Sequence, residues 1–571
     1  MDSSRNLNGR VLVLGDDTRS FLTVIRSLGR AGLEVHVAWC PHVSPSLRSR
    51  YIARVHWLPA YREDDQAWLH ELLHLLRREQ FDLVIPIPDT AILPLQHWRR
   101  CIEPVCRCSL LNDHAFEVTF SKRKTYDLAV KLGIAVPRQR HVRSFFELQL
   151  AVENFGFPVV LKPESSFTLD NIVSRNKVIT LRNGVELAAA ADDVHRTDGV
   201  LVQQHFLGAG MGIEVLSKQG EILTAFQHER IHEPLMGGGS SYRKSVPLHA
   251  AMLESVRKLM KELNYTGVAM VEFKMNPATG AWVLIEINGR FWGSLPLSVA
   301  AGLDFPRFLY DMLCNGRTSF PTTYRTNYFA RNWLADFYWA RHNFRADHTE
   351  PALMTVPVRR LPREIMNLVL LRESSDTFAW DDPWPAFAEI REYGRKKVLP
   401  RVIRLGVLRR RMQRAARAAA AKANRILFMC KGNICRSPFA EEALRYLTHG
   451  RIDVRSTGYL PTAGRPSPEE AVSAASELGI DLTRHHSHFI DAQTVVQADL
   501  ILFFDSENET FLREKFPDAL TKAYYLGALD PSESLEIEDP LGGGIEAFRR
   551  SYSKIFTILE TLRVELSPSG S

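Results

Sequence analysis

Apolar positions along the chain change their spacing from region to region. Arg10 to Gly15 (RVLVLG) is an unbroken apolar run closed by glycine, Phe21 to Ala31 spaces its apolar residues as a helix does, and Glu34 to Ala38 is apolar again. Asp82 to Ile87 (DLVIPI) is a further run of the first kind. Strands buried on both faces read as continuous apolar runs, and their alternation with helices predicts a doubly wound α/β domain with a parallel sheet. The Gly15-Asp16-Asp17 turn lacks the G-x-G-x-x-G spacing of a dinucleotide site.

From Ser121 the texture differs. Lys122 to Pro137 (KRKTYDLAVKLGIAVP) reads as helix, glycine, turn and proline. Short strands are predicted at Phe157–Lys162, Gly199–Gln203, Gly212–Ser217, Gly267–Lys274 and Trp282–Ile287, the last two joined as a hairpin through Asn276-Pro277-Ala278-Thr279-Gly280. Tryptophan and proline become frequent between Arg331 and Phe387, where Trp380 and Trp384 are expected to pack a small segment against the preceding body. A basic helix follows, with Arg409-Arg410-Arg411 and an alanine-rich run, and then a fresh strand from Arg425 to Met429. The expected division is 1–112, 113–320, an accessory segment 321–393, a basic helical linker 394–424, and 425–571.

A chain of 571 residues exceeds what one hydrophobic core serves. No run approaches the apolar length of a membrane span, and Met1 to Arg5 does not begin a signal peptide, so a cytoplasmic location is expected. Seven cysteines do not suggest a disulfide framework; Cys101, Cys106 and Cys108 lack a partner cluster at zinc spacing and read as structural. The net charge of +7 is local: Gly394 to Arg425 holds twelve Lys and Arg and no Asp or Glu, and without them the remainder carries −5. That distribution argues against a nucleic-acid partner. The basic segment reads as a solvated rod between domains or, with Val398, Leu399, Val402, Ile403, Leu405 and Leu408, as a helix docking on anionic membrane.

Cys430-Lys431-Gly432-Asn433-Ile434-Cys435-Arg436-Ser437 joins the strand at Arg425 to a helix over Ala440–Leu447. A loop ahead of a helix N-terminus turns successive N–H groups inward and cradles a phosphate dianion. The same positive field, with Arg436, favours the thiolate of Cys430 as nucleophile. Arg436 can grip two phosphate oxygens as a fork, more tightly in the transition state.

These residues, with Pro438, Arg455-Ser456-Thr457-Gly458 and Gly479-Ile480-Asp481-Leu482, resemble the low-molecular-weight protein tyrosine phosphatase family over about 425–565. The resemblance implies a compact α/β domain with a parallel sheet, Asp539 (before Pro540) as general acid, and a loop-shaping network of Asn433, Ser437, Ser456 and His485. Ile434 is the form seen in tyrosine-type members, whereas threonine there goes with phosphoarginine. Leu541-Gly542-Gly543-Gly544 lacks the aromatic flank of a phosphotyrosine pocket, which keeps a small phosphorylated metabolite open as substrate.

A second constellation is dispersed: Lys122, Lys162, Glu272, Glu286, Asn288 and Arg290. Lysines suit nucleotide phosphates, and carboxylates with an amide on adjacent strands suit Mg2+. A carboxylate within VLIEIN is costly unless paired or bound to metal. With Glu286-Ile287-Asn288-Gly289-Arg290 as the most specific element, these residues resemble the ATP-grasp superfamily over about 1–320. The resemblance implies a Rossmann-like domain before α+β ATP-binding subdomains. It implies Glu272, Glu286 and Asn288 as Mg2+ ligands, Lys122, Lys162 and Arg290 on ATP phosphates, and Gln203, Gln204, Phe206 and Leu207 in the adenine hinge. Such enzymes join a carboxylate to an amine, or a thiol, through an acyl phosphate. Pro163 to Arg182 has no glycine, although the family often closes a glycine-rich loop over the phosphates; Ser165 and Ser166 stand there instead. Arg243, after Gly237-Gly238-Gly239, either binds a substrate carboxylate or belongs to a surface loop.

The expectation is a bifunctional enzyme using ATP and Mg2+, acting on small carboxylates and amines and on a phosphorylated protein or metabolite. The alternative is a regulatory tyrosine phosphatase whose nucleotide-binding half senses or scaffolds.

Overall fold

A computed structural model describes residues 9–395 and 407–566, apart from 40–43, 64–65, 171, 173–174, 177, 191–198, 236–237, 347–352, 354, 358–359, 461–462 and 531–533. The chain divides into two units, Met1–Glu389 and Ile390–Ser571.

The first unit begins with β1 (Arg10–Leu14), β2 (Glu34–Ala38), β3 (Ile52–Val55) and β4 (Leu83–Pro86), all parallel in the order β3-β2-β1-β4. The unbroken apolar run of β1 has a direct cause. Val11 and Val13 join one core with Phe21, Val24 and Ile25 of the helix Ser20–Arg30. Leu12 and Leu14 join another, with Trp68, Leu69 and Leu72 of the helix Ala67–Glu79.

A four-stranded antiparallel sheet follows: β5 (Gln139–Val142), β6 (Val159–Lys162), β7 (Ile179–Leu181) and β8 (Val200–Gln204), in the order β5-β8-β6-β7. Val142, Val159, Leu161, Val200 and Val202 pack with Leu148, Ala151 and Val152 of the helix Phe145–Phe155. Side chains alternate across a strand, so Lys162 and Gln203 lie on the opposite face.

The third sheet holds β9 (Ala209–Lys218), β10 (Glu221–His232), β11 (Tyr242–Ser245), β12 (Gly267–Met275), β13 (Trp282–Asn288), β14 (Phe329–Arg331) and β15 (Glu373–Ser375). Its order is β13-β12-β9-β10-β11-β14-β15. The region 321–393 thus extends this sheet by two strands rather than only packing on it. Its attachment is ionic: Arg243 of β11 pairs with Asp376, and His232 of β10 lies 2.8 Å from Asp336 and 3.1 Å from Glu364 with its ring stacked on Trp339. Trp380 and Trp384 do not pack inward, being 91% and 64% exposed. The aspartates between them make the attachment, Asp382 to Arg26 at 2.9 Å and Asp381 to Arg30 at 2.7 Å.

In the second unit β16 (Arg425–Cys430), β17 (Asp453–Gly458), β18 (Leu500–Phe503) and β19 (Ala523–Tyr525) form a parallel sheet in the order β17-β16-β18-β19. Helices Arg436–Leu447 and Gly544–Glu565 share a face of the core, where Phe439 stacks on Tyr552 at 3.9 Å. The basic helix Val407–Ala420 is not a free rod over its described part, because Ala416 and Ala420 are buried in this core. Residues 396–406, with most of the apolar positions read as membrane-seeking, and the side chain of Leu408, lie outside the described residues. Among the described residues no helix is long and apolar enough to cross a membrane.

Candidate active sites

The loop after β16 runs straight into the helix Arg436–Leu447. Cys430 Sγ lies 3.0 Å from Ser437 Oγ and accepts from the Asn433 N–H at 3.2 Å. Asn433 has φ +49°, a left-handed conformation that asparagine adopts more readily than most residues. Its side chain holds that conformation: Nδ2 donates to Ser437 Oγ at 3.0 Å and Ser456 Oγ at 2.8 Å, and Oδ1 accepts from the His488 N–H at 2.7 Å. His485 Nε2 lies 2.7 Å from the Asn433 carbonyl. The structure therefore brings Cys430, Asn433, Ser437, Ser456 and His485 together. Gly458 of β17 lies so close that a Cβ there would stand 2.7 Å from Asn433 N and 2.9 Å from Lys431 O.

Arg436 is 1% exposed. Its Nη1 donates to Asp505 Oδ2 at 2.6 Å and to the Ile537 carbonyl at 2.8 Å, and its Nη2 to Asp539 Oδ2 at 2.8 Å. Burial disfavours the guanidinium charge, but Cys430, Asp539 and Asp505 outweigh it and hold Arg436 cationic. Burial pushes the Cys435 thiol well up, leaving it protonated and non-nucleophilic.

In the first unit Glu272 of β12 and Glu286 of β13 are direct cross-strand partners. Like charges so placed repel unless a cation lies between or beside them. Asn288 Nδ2 reaches both, 3.3 Å from Glu272 and 3.1 Å from Glu286, so the three side chains share one point. Turning the amide over presents its oxygen there, and the donor set fits a hard divalent cation. Burial raises the Glu272 carboxyl, with Arg230 at 2.7 Å only partly offsetting it. Burial also acts on Glu286, but Lys122 and Asn288 prevail and hold it below the ordinary range.

Lys122 Nζ lies 3.5 Å from Ser166 Oγ, and burial lowers its ammonium pKa against the pull of Glu286. It shares a cleft with Ser165, Ser166, Glu286 and Asn288. Lys162 is buried and donates to Tyr126 OH at 2.9 Å. Gln203 Nε2 bonds Gln139 on the Lys162 face, whereas Gln204 points to the other face and bonds the Phe155 carbonyl at 3.4 Å. Lys274 Nζ lies 3.5 Å from the Phe206 carbonyl, and Leu207 is exposed. Arg290 pairs with Asp89 through Nε at 2.5 Å and Nη2 at 3.3 Å. Arg243 is fully buried and paired with Asp376 rather than lying in a surface loop. Gly237 lies outside the described residues.

A family model described as low molecular weight phosphotyrosine protein phosphatase matches residues 425–569. The protein-arginine-phosphatase of Geobacillus stearothermophilus is 30% identical over 142 residues, 25% of this chain and 95% of that protein. Residues 425–569 belong to the low molecular weight phosphatase family. The probable low molecular weight protein-tyrosine-phosphatase EpsP of Ralstonia solanacearum is 32% identical over 130 residues, 23% of this chain and 87% of that protein. A model described as ATP-grasp in the biosynthetic pathway with Ter operon matches residues 196–333. N5-carboxyaminoimidazole synthetase from Staphylococcus aureus aligns at TM-score 0.44 and 15% identity over 56% of this chain and 81% of that chain. The chain joins an ATP-grasp module to a low molecular weight phosphatase, both members of enzyme families.

Two residues of this arrangement escaped the sequence. Asp505 holds the phosphatase arginine, and its signal was its place just beyond β18, at the carboxyl edge of a parallel sheet where ligands gather. Arg230, on the ATP-grasp carboxylates, sits in His228-Glu229-Arg230 within the long strand β10, whose polar end masks it. Among the described residues no three His, Cys, Asp or Glu converge as a metal group, and Cys101, Cys106, Cys108 and Cys314 are free.

Proposed function

We propose that the phosphatase domain hydrolyses phosphomonoesters of the tyrosine type through a cysteinyl phosphate. The Cys430 thiolate attacks phosphorus, Asp539 protonates the departing oxygen, and Asp539 then takes a proton from the water that releases phosphate. Arg436 exchanges its aspartate partners for two phosphate oxygens as charge develops. The observation that carries this reading is the Asn433 N–H aimed at Cys430 Sγ. Ile434 favours the tyrosine type over phosphoarginine. Hydrolysis of 4-nitrophenyl phosphate by wild type but not by Cys430→Ser tests it; equal rates sink it.

The ATP-grasp half, in the same proposal, is an ATP-dependent ligase. Lys122 and Lys162 hold the nucleotide phosphates while a substrate carboxylate attacks the γ-phosphorus, giving an acyl phosphate and ADP. An amine or thiol then displaces phosphate from the acyl carbon. Glu272, Glu286 and Asn288 would hold Mg2+, which when bound neutralises charge between the phosphates. The cross-strand pair Glu272 and Glu286 carries this reading. Gln203 lines the nucleotide face, and Phe206 and Leu207 offer the adenine backbone contacts. Gln204 contributes main chain only, its side chain being turned away. Arg290 reaches phosphate by leaving Asp89. ADP release across a panel of amino acids, lost in Glu286→Ala, tests the ligase. Nucleotide binding without ADP release for any acceptor would favour the regulatory alternative.

A further inference from the structure

We propose that Arg465 is a positioning residue for the phosphate loop: by holding the Gly432 carbonyl from outside, it aims and strengthens the Asn433 N–H that faces Cys430. This inference rests on the phosphatase reading above. The carbonyl and N–H of one trans peptide point in opposite directions, so fixing one fixes the other. Across the Gly432–Asn433 peptide, Arg465 Nη2 donates to the Gly432 oxygen at 2.9 Å while the Asn433 N–H donates to Cys430 Sγ at 3.2 Å. A hydrogen bond from a cation is about twice as strong as a neutral one, and it polarises the peptide so that the far N–H becomes a better donor.

The neighbouring loop carbonyls are pinned by different chemistry. Lys431 O accepts from the backbone N–H groups of Tyr459 and Leu460 at 3.0 Å each, and Asn433 O lies 2.7 Å from His485, which burial keeps toward its neutral form. Of these three carbonyls, Gly432 O is the one facing a permanent positive charge. A Cβ at position 432 would stand 3.4 Å from Arg465 Nη2, so the guanidinium lies over the bare face of the glycine.

The arginine is itself anchored through backbone. Gly464 N–H donates to Ser487 O at 2.7 Å, Ser487 N–H to Arg465 O at 2.8 Å, and Arg465 N–H to Ser487 Oγ at 3.0 Å. This short ladder ends beside His485, so one element delivers both pins. Arg465 acts through the peptide, where a preorganised donor favours charge on sulfur and on the phosphoryl oxygens.

The test uses the full chain and 4-nitrophenyl phosphate, with kcat/KM measured against pH and inorganic phosphate as competitive inhibitor. For Arg465→Met we expect the acidic limb of the profile to move up by about half a pH unit or more and the phosphate inhibition constant to rise about five- to tenfold. Arg465→Gln, which keeps a neutral donor, shows the same limb shift with a smaller loss of phosphate affinity; Arg465→Lys retains most of both. A wild-type limb and wild-type phosphate inhibition in Arg465→Met overturn the proposal. So does a uniform loss of kcat at every pH with a lowered melting temperature, the mark of a merely structural role. If Arg465→Met does not fold, Arg465→Gln decides alone by whether its limb moves. Failure of the phosphatase reading shows separately, as hydrolysis by Cys430→Ser at the wild-type rate.

Discussion

The two candidate sites are built in opposite ways. The phosphatase domain gathers its candidate residues in one loop, where a backbone N–H meets the Cys430 sulfur and the loop carbonyls are pinned from outside. In the first unit Lys122, Lys162, Glu272, Glu286, Asn288 and Arg230 come together from separate elements and balance charge with side chains. A backbone cradle is vulnerable to substitutions that invade its space or remove a side chain pinning its peptides. A side-chain cradle fails when any charge is left without its partner.

That contrast can be broken by substitution. Cys430→Ser is expected to lower 4-nitrophenyl phosphate hydrolysis by at least about 10^4-fold, because nothing else in the loop supplies a nucleophile; ADP release by the other half is unchanged. Glu286→Gln keeps shape and removes charge, and ADP release should fall about 100-fold or more with phosphatase activity intact. Gly458→Ala forces a methyl into the loop backbone, and about tenfold lower phosphatase activity with about 1–3 kcal/mol of lost stability is expected. A silent Gly458→Ala would show that the cradle tolerates intrusion.

The smallest effect concerns pH. Burial lowers His56 and His205 to about 4 from an ordinary 6.5. The unfolded chain therefore takes up protons that the folded first unit refuses. Their contribution is complete above about pH 6.5 and is lost as pH falls toward 4. Calorimetry at pH 7 and pH 5 should show a lower melting temperature at pH 5, and His56→Gln should narrow that gap by about 2 °C.

How much of this was readable from sequence followed the same contrast. Cys430 to Ser437 is contiguous, so spacing alone displayed the strand, the loop and the helix that follows. The E-I-N-G-R run displayed the second carboxylate but not the cation beside the first. Arg230 becomes visible only when β10 is laid two strands from β12, a register that no local pattern encodes. The tryptophans near position 380 misled because aromatic residues usually signal burial, whereas here the intervening aspartates bind Arg26 and Arg30. The alanine-rich end of the basic helix read as a solvent-facing rod because alanine favours helix everywhere; only the packed fold shows that Ala416 and Ala420 face a core.

Tyr126 gives the first unit a mechanical link. Its hydroxyl accepts from Lys162 of the four-stranded sheet and donates to the carbonyl of Ile285, the residue before Glu286. Any displacement of the strand bearing Lys162 therefore pulls, through one hydroxyl, on the strand that carries Glu286. The placement of Lys162 and the alignment of β13 are thus geared through a single phenol.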